Sequence, residues 1–263
     1  MSDTARKIAF IVASSAHGML ILNRLDYNTV GPVSYGVGIQ TLENGSFDKA
    51  EVDLTFNLLQ LRRKYKGDGV VAIDCGANIG IHTIDWSRRM VDWGSVIAIE
   101  AQERIFYALA GNIAINNCFN ARAIHAAVST TCGTMRIPLL DYQKPASFGS
   151  LELRKLPTTE SIGQTVDYSE ASGVDVPMIS IDSLHLKRCD LIKIDVEGME
   201  TSVLEGAMST IALHNPIIAA EMIKSNREDL RSKLEALNYQ LFEVGMNLLA
   251  IHKSDRSLAH LEV

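Results

Sequence analysis

The hydrophobic positions of this chain alternate between two rhythms. Val70–Ile73, Val96–Ile99, Leu191–Ile194 and Ile217–Ala220 are short, nearly unbroken apolar runs, the pattern of strands covered on both faces. Between them apolar residues recur every three or four positions. Ile105, Phe106, Leu109 and Ile113 mark one helix face, and Met199, Val203, Leu204 and Ala207 mark another. A helix over Ile79–Met90 and a further strand over Ala121–Val128 complete the alternation, which predicts an α/β fold with a mostly parallel, doubly wound sheet. Gln240–Val244 and Leu248–His252 are separated only by Gly245-Met246-Asn247. A parallel pair needs a far longer crossover, so these two pair as an antiparallel hairpin and one C-terminal strand is reversed.

Two regions depart from this rhythm. Residues 1–66 read as an N-terminal β/α extension packed on a core domain of residues 67–263. Strands are expected at Ile8–Val12, Met19–Leu22 and Val33–Ile39, followed by a helix. Asp48 and Glu51 have the spacing of a capping box, and Val52, Phe56 and Leu59 form the apolar stripe behind them. Ser225 with Glu228 repeats that pattern ahead of Leu230, Leu234 and Leu237. Residues 133–178, rich in Ser, Thr, Gly and Pro after a strand-like Thr134–Leu139, read as an irregular insertion on the substrate side.

The strand ending in Asp74 breaks into Cys75-Gly76-Ala77-Asn78-Ile79-Gly80 and then opens a helix. Glycines at 76 and 80 permit a tight turn and a close-lying ligand, and the following helix N-terminus favours anionic groups. Glu100 ends the next strand, twenty residues past Gly80. A carboxylate there suits the two hydroxyls of an adenosine ribose. The pattern predicts a nucleoside cofactor.

The formal net charge of −6 argues against a nucleic-acid binder, whose footprint is a basic stripe. Arg62-Arg63-Lys64-Tyr65-Lys66 is the one dense basic cluster, and placement against a helix C-terminal dipole accounts for it. Cysteines 75, 118, 132 and 189 form no Cys-x-x-Cys pair or zinc spacing, so reduced thiols in a cytoplasmic protein are expected. Ile8–Ala13 after Arg6-Lys7 is too brief for a secretion signal, and no stretch approaches membrane-spanning length.

Asp74-Cys75-Gly76-Ala77-Asn78-Ile79-Gly80, Ile181-Asp182-Ser183-Leu184 and Ile192-Lys193-Ile194-Asp195-Val196-Glu197-Gly198-Met199-Glu200 resemble the FkbM family of class I S-adenosylmethionine-dependent methyltransferases. The resemblance runs from about Asp48 to the end. It implies a Rossmann-like seven-stranded sheet and methyl transfer from S-adenosyl-L-methionine, chiefly to hydroxyl oxygens of natural products or sugars. Cofactor contacts are expected from Asp74, Gly76, Ala77, Asn78, Gly80, Thr83, Glu100, Ala101 and Ala127, with Gln102 along the adenine edge. Asp74 is equally placed to cap the next helix, and His82 and Thr83 equally suit an ordinary helix surface. The resemblance suggests that Glu51 reaches the cofactor, although its capping position already accounts for it.

Asp195 and Glu197 alternate onto one face at a strand mouth. A general base for a hydroxyl acceptor, recognition of a cation, and capping of the next helix all fit them. Lys193 is left unassigned, and His125 reads as core. Phe148, Gly149 and Ser150 resemble a family loop that closes over the acceptor, though a loop without a role also fits. The expected partner is a small-molecule or glycan acceptor, with no nucleic acid and no membrane; homodimer formation is left open. No metal site is assigned and the need for one is left open: Asp195 and Glu197 could hold a magnesium ion, but two acids are fewer ligands than such a site usually has.

A nicotinamide-dependent oxidoreductase shares the opening topology but needs Gly-x-Gly-x-x-Gly, which is absent. A nucleic-acid or protein methyltransferase is a further alternative. Asn-Pro-Pro-Tyr and Pro-Cys elements are missing, which disfavours base methylation.

Overall fold

A computed structural model describes residues 7–169, 171–224 and 226–260. The N-terminal region forms two hairpins, β1 (Phe10–Ser15) with β2 (Gly18–Asn23) and β3 (Asn28–Val30) with β4 (Val33–Tyr35), then α1 (Val37–Asn44) and α2 (Lys49–Lys66). The alternating region follows: β5 (Val70–Cys75), α3 (Ile81–Arg89), β6 (Gly94–Glu100), α4 (Glu103–Ile115) and β7 (Ala121–His125). After it come β8 (Ala127–Val128), β9 (Gly133–Ile137) and β10 (Val174–Ile179). The chain then completes the main sheet with β11 (Leu191–Ile194), α5 (Glu200–Glu205), α6 (Met208–His214), β12 (Ile217–Glu221), α7 (Arg227–Ala236), β13 (Tyr239–Val244) and β14 (Asn247–His252).

The seven-stranded sheet has the order β13-β14-β12-β11-β5-β6-β7. β14 runs antiparallel to both its neighbours, as the short C-terminal connection predicts. Helices cover both faces. Phe56 and Leu59 of α2, with Trp86 of α3 and Met90 just after it, pack on Val70, Ala72 and Val96. Val203, Leu204, Ile211, Leu230 and Leu234 of α5–α7 pack on Ile73, Ile192 and Ile218 from the opposite side. Neighbouring residues of β5 thus serve opposite cores, which is why its sequence is apolar without alternation.

Several local expectations are corrected. Val33–Ile39 is not one strand: Gly36, at φ 146°, turns the chain from β4 into α1. The expected strand Ala121–Val128 breaks at Ala126, and β8 leaves the main sheet to pair with β10, which pairs in turn with β9. Residues 133–178 are therefore bounded by strands whose partners lie about forty positions apart, and Pro177 inside β10 masks its strand pattern. Asp48 has φ 39° and no side-chain cap bond, so the first capping box does not form. Ser225 lies outside the described residues; α7 is capped by the Asn226 side chain, which accepts from the Asp229 N–H.

Arg62 is buried rather than part of a solvated basic patch. Its guanidinium donates to Asp190, to Asp255 and to the carbonyls of Asn215 and His214 at the foot of the sheet. The N-terminal extension and the insertion share a core of their own, with Leu20, Leu22 and Val37 packed alongside Phe148, Leu151 and Ile162. Together they roof the C-terminal ends of β5, β6 and β11. The four cysteines are unpaired. Among the described residues, no helix is long and apolar enough to cross a membrane.

Candidate active site

The turn after β5 is built by close backbone approach. Gly76 has φ 76°, and a Cβ there would lie 1.7 Å from the Asp195 carbonyl oxygen. The N–H groups of Gly76 and Ala77 donate to the Ile99 carbonyl at 2.9 and 3.0 Å. Asn78, itself at φ 50°, donates its N–H to Glu100 Oε2 at 3.0 Å. The Gln102 N–H donates to Glu100 Oε1 at 2.7 Å. Glu100 therefore clasps the turn as well as facing the space above it. Burial lifts its carboxyl to about 7, against the pull of those amides.

These bonds change the expected role of the turn. Its first amides are taken up inside the protein, and the Asn78 side chain, whose Oδ1 accepts from the Ile79 N–H, places its amide nitrogen against Gly149. Asp74 and Thr83 are buried below the cavity wall, with Thr83 Oγ1 donating to Asp74 Oδ2 at 2.6 Å. They brace β5 against α3 instead of lining the cavity. Gly80, at φ 92°, admits Leu109 of α4, whose Cδ1 would lie 2.6 Å from an added Cβ. It too serves packing.

A cavity of about 480 Å³ opens over the turn, within the size range of small-molecule sites. Gly76, Ala77, Asn78, Glu100, Ala101 and Ala127 line it together with Asp195, Glu197, Gly149 and Ser150. Phe148 does not join them. Its ring is fully buried against Tyr142, and only its neighbours face the cavity.

The acidic side of the cavity contains residues beyond Asp195 and Glu197. Lys193 Nζ reaches Asp195 Oδ2 at 2.8 Å from a buried position. Burial opposes its charge, but Asp195, Asp74 and Glu51 outweigh that and raise its pKa. Period-two alternation along Lys193, Asp195 and Glu197 was the available signal. Glu51 accepts from Asn247 Nδ2 at 2.8 Å and stands 3.4 Å from His82 Nε2, so it faces the cavity instead of capping α2. Glu221, at the end of β12, also lines the cavity.

Glu197 has a left-handed backbone, φ 53°, and pairs with Lys224 at 2.7 Å. The next helix, α5, has no side-chain cap, and the Glu200 carboxylate at its start accepts from the loop N–H groups of Val196 and Gly198. Burial, then the charge of Asp195, lifts Glu197 to about 7 despite Lys224. The same two causes, joined by Glu197, lift Glu221 to about 9. A carboxylate poised near neutrality suits proton acceptance. Oxygens of Asp195, Glu197 and Glu221 lie within 4.8 Å of one another, a set able to hold a cation, but Lys193 and Lys224 already neutralise two of them.

These raised values carry a stability prediction. The folded protein keeps protons on Glu100, Glu197 and Glu221 that the unfolded chain, with carboxyls near 4.5, has lost. Their contribution is complete below about 4.5 and declines as pH rises through about 7, continuing to about 9 for Glu221. The melting temperature should therefore fall between pH 5 and 9, and Glu221→Gln should flatten the upper half of that slope. A melting temperature that rises over this range would contradict the assignment.

The sheet order, the reversed β14 and the acid clasping a glycine turn define a class I methyltransferase fold. The family model for the methyltransferase FkbM domain matches residues 74–241, more than half of the chain, and the chain belongs to this family. A curated relative, the methyltransferase sdnD of Sordaria araneosa, is 28% identical in an alignment 156 positions long that covers 51% of this chain and 59% of that protein. The chain thus spans less than two thirds of that relative. Methyltransferase FkbM from Methylobacillus flagellatus KT aligns with a TM-score of 0.49 at 18% identity, over 70% of this chain and 43% of that one. A precorrin-6y C5,15-methyltransferase from Geobacter metallireducens GS-15 aligns at 0.42 and 14%, over 76% and 84%.

Proposed function

We propose that this protein transfers a methyl group from S-adenosylmethionine to a hydroxyl oxygen of a small molecule or glycan. The observation that carries the cofactor is Glu100, buried over the glycine turn at the end of a cavity floored by Ala77, Ala101 and Ala127. Each oxygen of that carboxylate accepts one backbone N–H and retains capacity for a ribose hydroxyl. The small side chains suit a flat adenine ring. At the other end the buried His82 Nε2 has no hydrogen-bond partner, and it sits beside Glu51, where the amino-acid portion of the cofactor would extend. The residues present fit the group.

When bound, S-adenosylmethionine supplies an electrophilic methyl group. The protein's part is alignment and exclusion of water by the roof of α1 and the Phe148–Ser150 turn. On this reading Glu197 accepts the hydroxyl proton of the acceptor, a role supported by its raised pKa and by Lys224, which fixes its carboxylate. Lys193 pairs with Asp195 beside it. Neutral acceptors agree with a cavity whose two lysines are both paired to carboxylates.

Calorimetric titration with S-adenosylmethionine and its demethylated product tests the cofactor. Glu100→Ala should weaken both by at least about tenfold, the scale of a lost charge-assisted hydrogen bond. Labelled methyl appearing on a hydroxylated acceptor tests the transfer. Stabilisation by NAD without stabilisation by S-adenosylmethionine would overturn the reading.

A further inference from the structure

Asp26 is a buried carboxylate that the proposed chemistry does not use, and it precedes the family match, which begins at residue 74. It leaves the β2 end of the first hairpin and enters the space between the two walls of the roof. Its Oδ2 accepts the N–H of Gly38, in the first turn of α1, at 3.1 Å. Its Oδ1 accepts the N–H of Phe148, at the head of the Phe148–Ser150 turn, at 2.9 Å. The Asp26 main-chain carbonyl also accepts from the Ile39 N–H at 3.1 Å, and Asp26 forms an isolated parallel bridge with Ala146.

The α1 wall is shaped to this residue. A Cβ on Gly36 would lie 2.5 Å from the Asp26 carbonyl oxygen, and one on Gly38 would lie 2.7 Å from the Asp26 Cβ. Each wall also faces the ligand cavity, through Val37 and Gln40 on one side and through Gly149 and Ser150 on the other. The connection extends to the nucleoside end. Gln102 Nε2 donates to the Phe148 carbonyl at 2.8 Å, while the Gln102 N–H holds Glu100.

We infer that Asp26 is a positioning residue: its carboxylate, shared between the amides of Gly38 and Phe148, fixes the separation of α1 from the Phe148–Ser150 turn and thereby sets the width of the ligand cavity. Only a carboxylate of this length offers two acceptor oxygens to two converging N–H groups. Asparagine offers one oxygen and turns an NH2 group against the second donor.

The test uses Asp26→Asn and Asp26→Ala in the full chain, with hydrogen exchange at individual amides and titration with S-adenosylhomocysteine well below each variant's melting temperature. The expected result is at least about tenfold faster exchange at Gly38 or Phe148 in Asp26→Asn and at both in Asp26→Ala. Folded Asp26→Asn should bind S-adenosylhomocysteine about tenfold more weakly, because walls freed from their strut hold the binding width only part of the time. A residue that only supports folding would lower the melting temperature and leave the affinity of the folded protein unchanged; that outcome overturns the inference. Unchanged exchange at both amides overturns it as well. The ligand arm rests on the proposed cofactor. Should the wild-type protein not bind S-adenosylhomocysteine, that reading fails on its own, and the exchange arm still decides for or against the strut.

Discussion

Gly76→Ala should abolish binding of S-adenosylmethionine and destabilise the fold by about 3 kcal/mol or more, because two separate penalties add. The first is the left-handed backbone, φ 76°, at which a Cβ is disfavoured. The second is steric: the new methyl would fall 1.7 Å from the Asp195 carbonyl oxygen. That oxygen belongs to backbone just beyond β11, and it cannot rotate away as a side chain would. Relief requires the β5 turn and the mouth of β11 to separate. The Gly76 and Ala77 bonds to Ile99 and the placement of Asp195 would be lost together. Gly45→Ala is the matched control, since Gly45 has a similar φ of 68° with nothing within 4 Å of an added Cβ. It should cost about 1 kcal/mol and leave cofactor affinity unchanged. Chemical denaturation and calorimetry on both variants separate strain from clash; equal effects would show that the approach to Asp195 is not what requires glycine.

The second large effect is expected far from the cavity. Arg62→Met should lower the unfolding free energy by about 3 kcal/mol while leaving ligand affinity in the folded protein intact. Arg62 and Asp190 are almost completely buried, and Asp255 nearly so. Methionine retains the packing of the stem but leaves Asp255 without a guanidinium and Asp190 with that of Arg188 alone. Arg188, which also pairs with Asp190 at 2.7 Å, moderates the loss. The double variant Arg62→Met with Asp255→Asn should recover part of it by removing one orphaned charge. Urea denaturation supplies the measurement, and a loss below about 1 kcal/mol would mean that water reaches the site and screens it.

The arginine also illustrates where a linear reading stops. In the sequence Arg62 is one of four basic residues in a row of five and looks like the rest of that cluster. In the fold the α2 helix phase turns it inward, while Arg63 and Lys64 remain at the surface. Glu51 shows the same limit. Its spacing from Asp48 matches a capping box, yet Asp48 adopts φ 39° and Asn247, almost two hundred residues away, supplies the actual partner. Lys193 differs, because its period-two relation to Asp195 was present in the sequence. Glu221 carried no such cue: it ends a strand that becomes informative only once β12 is known to lie beside β11.

What the sequence determined by itself was whatever depends on near neighbours. Apolar runs specified strands covered on both sides, a three-residue connection forced the reversed β14, and the glycines and Glu100 located one wall of the cavity. What only the tertiary structure decided was whatever depends on convergence of distant segments. The pairing of β9 with β10, the burial of Phe148 and Thr83, and the meeting of Lys193, Glu197, Glu221 and Lys224 at one mouth are of that kind. The physical reason is that backbone dihedrals and side-chain periodicity act over a few residues, whereas burial and charge pairing act through space and acquire partners only when the sheet has closed.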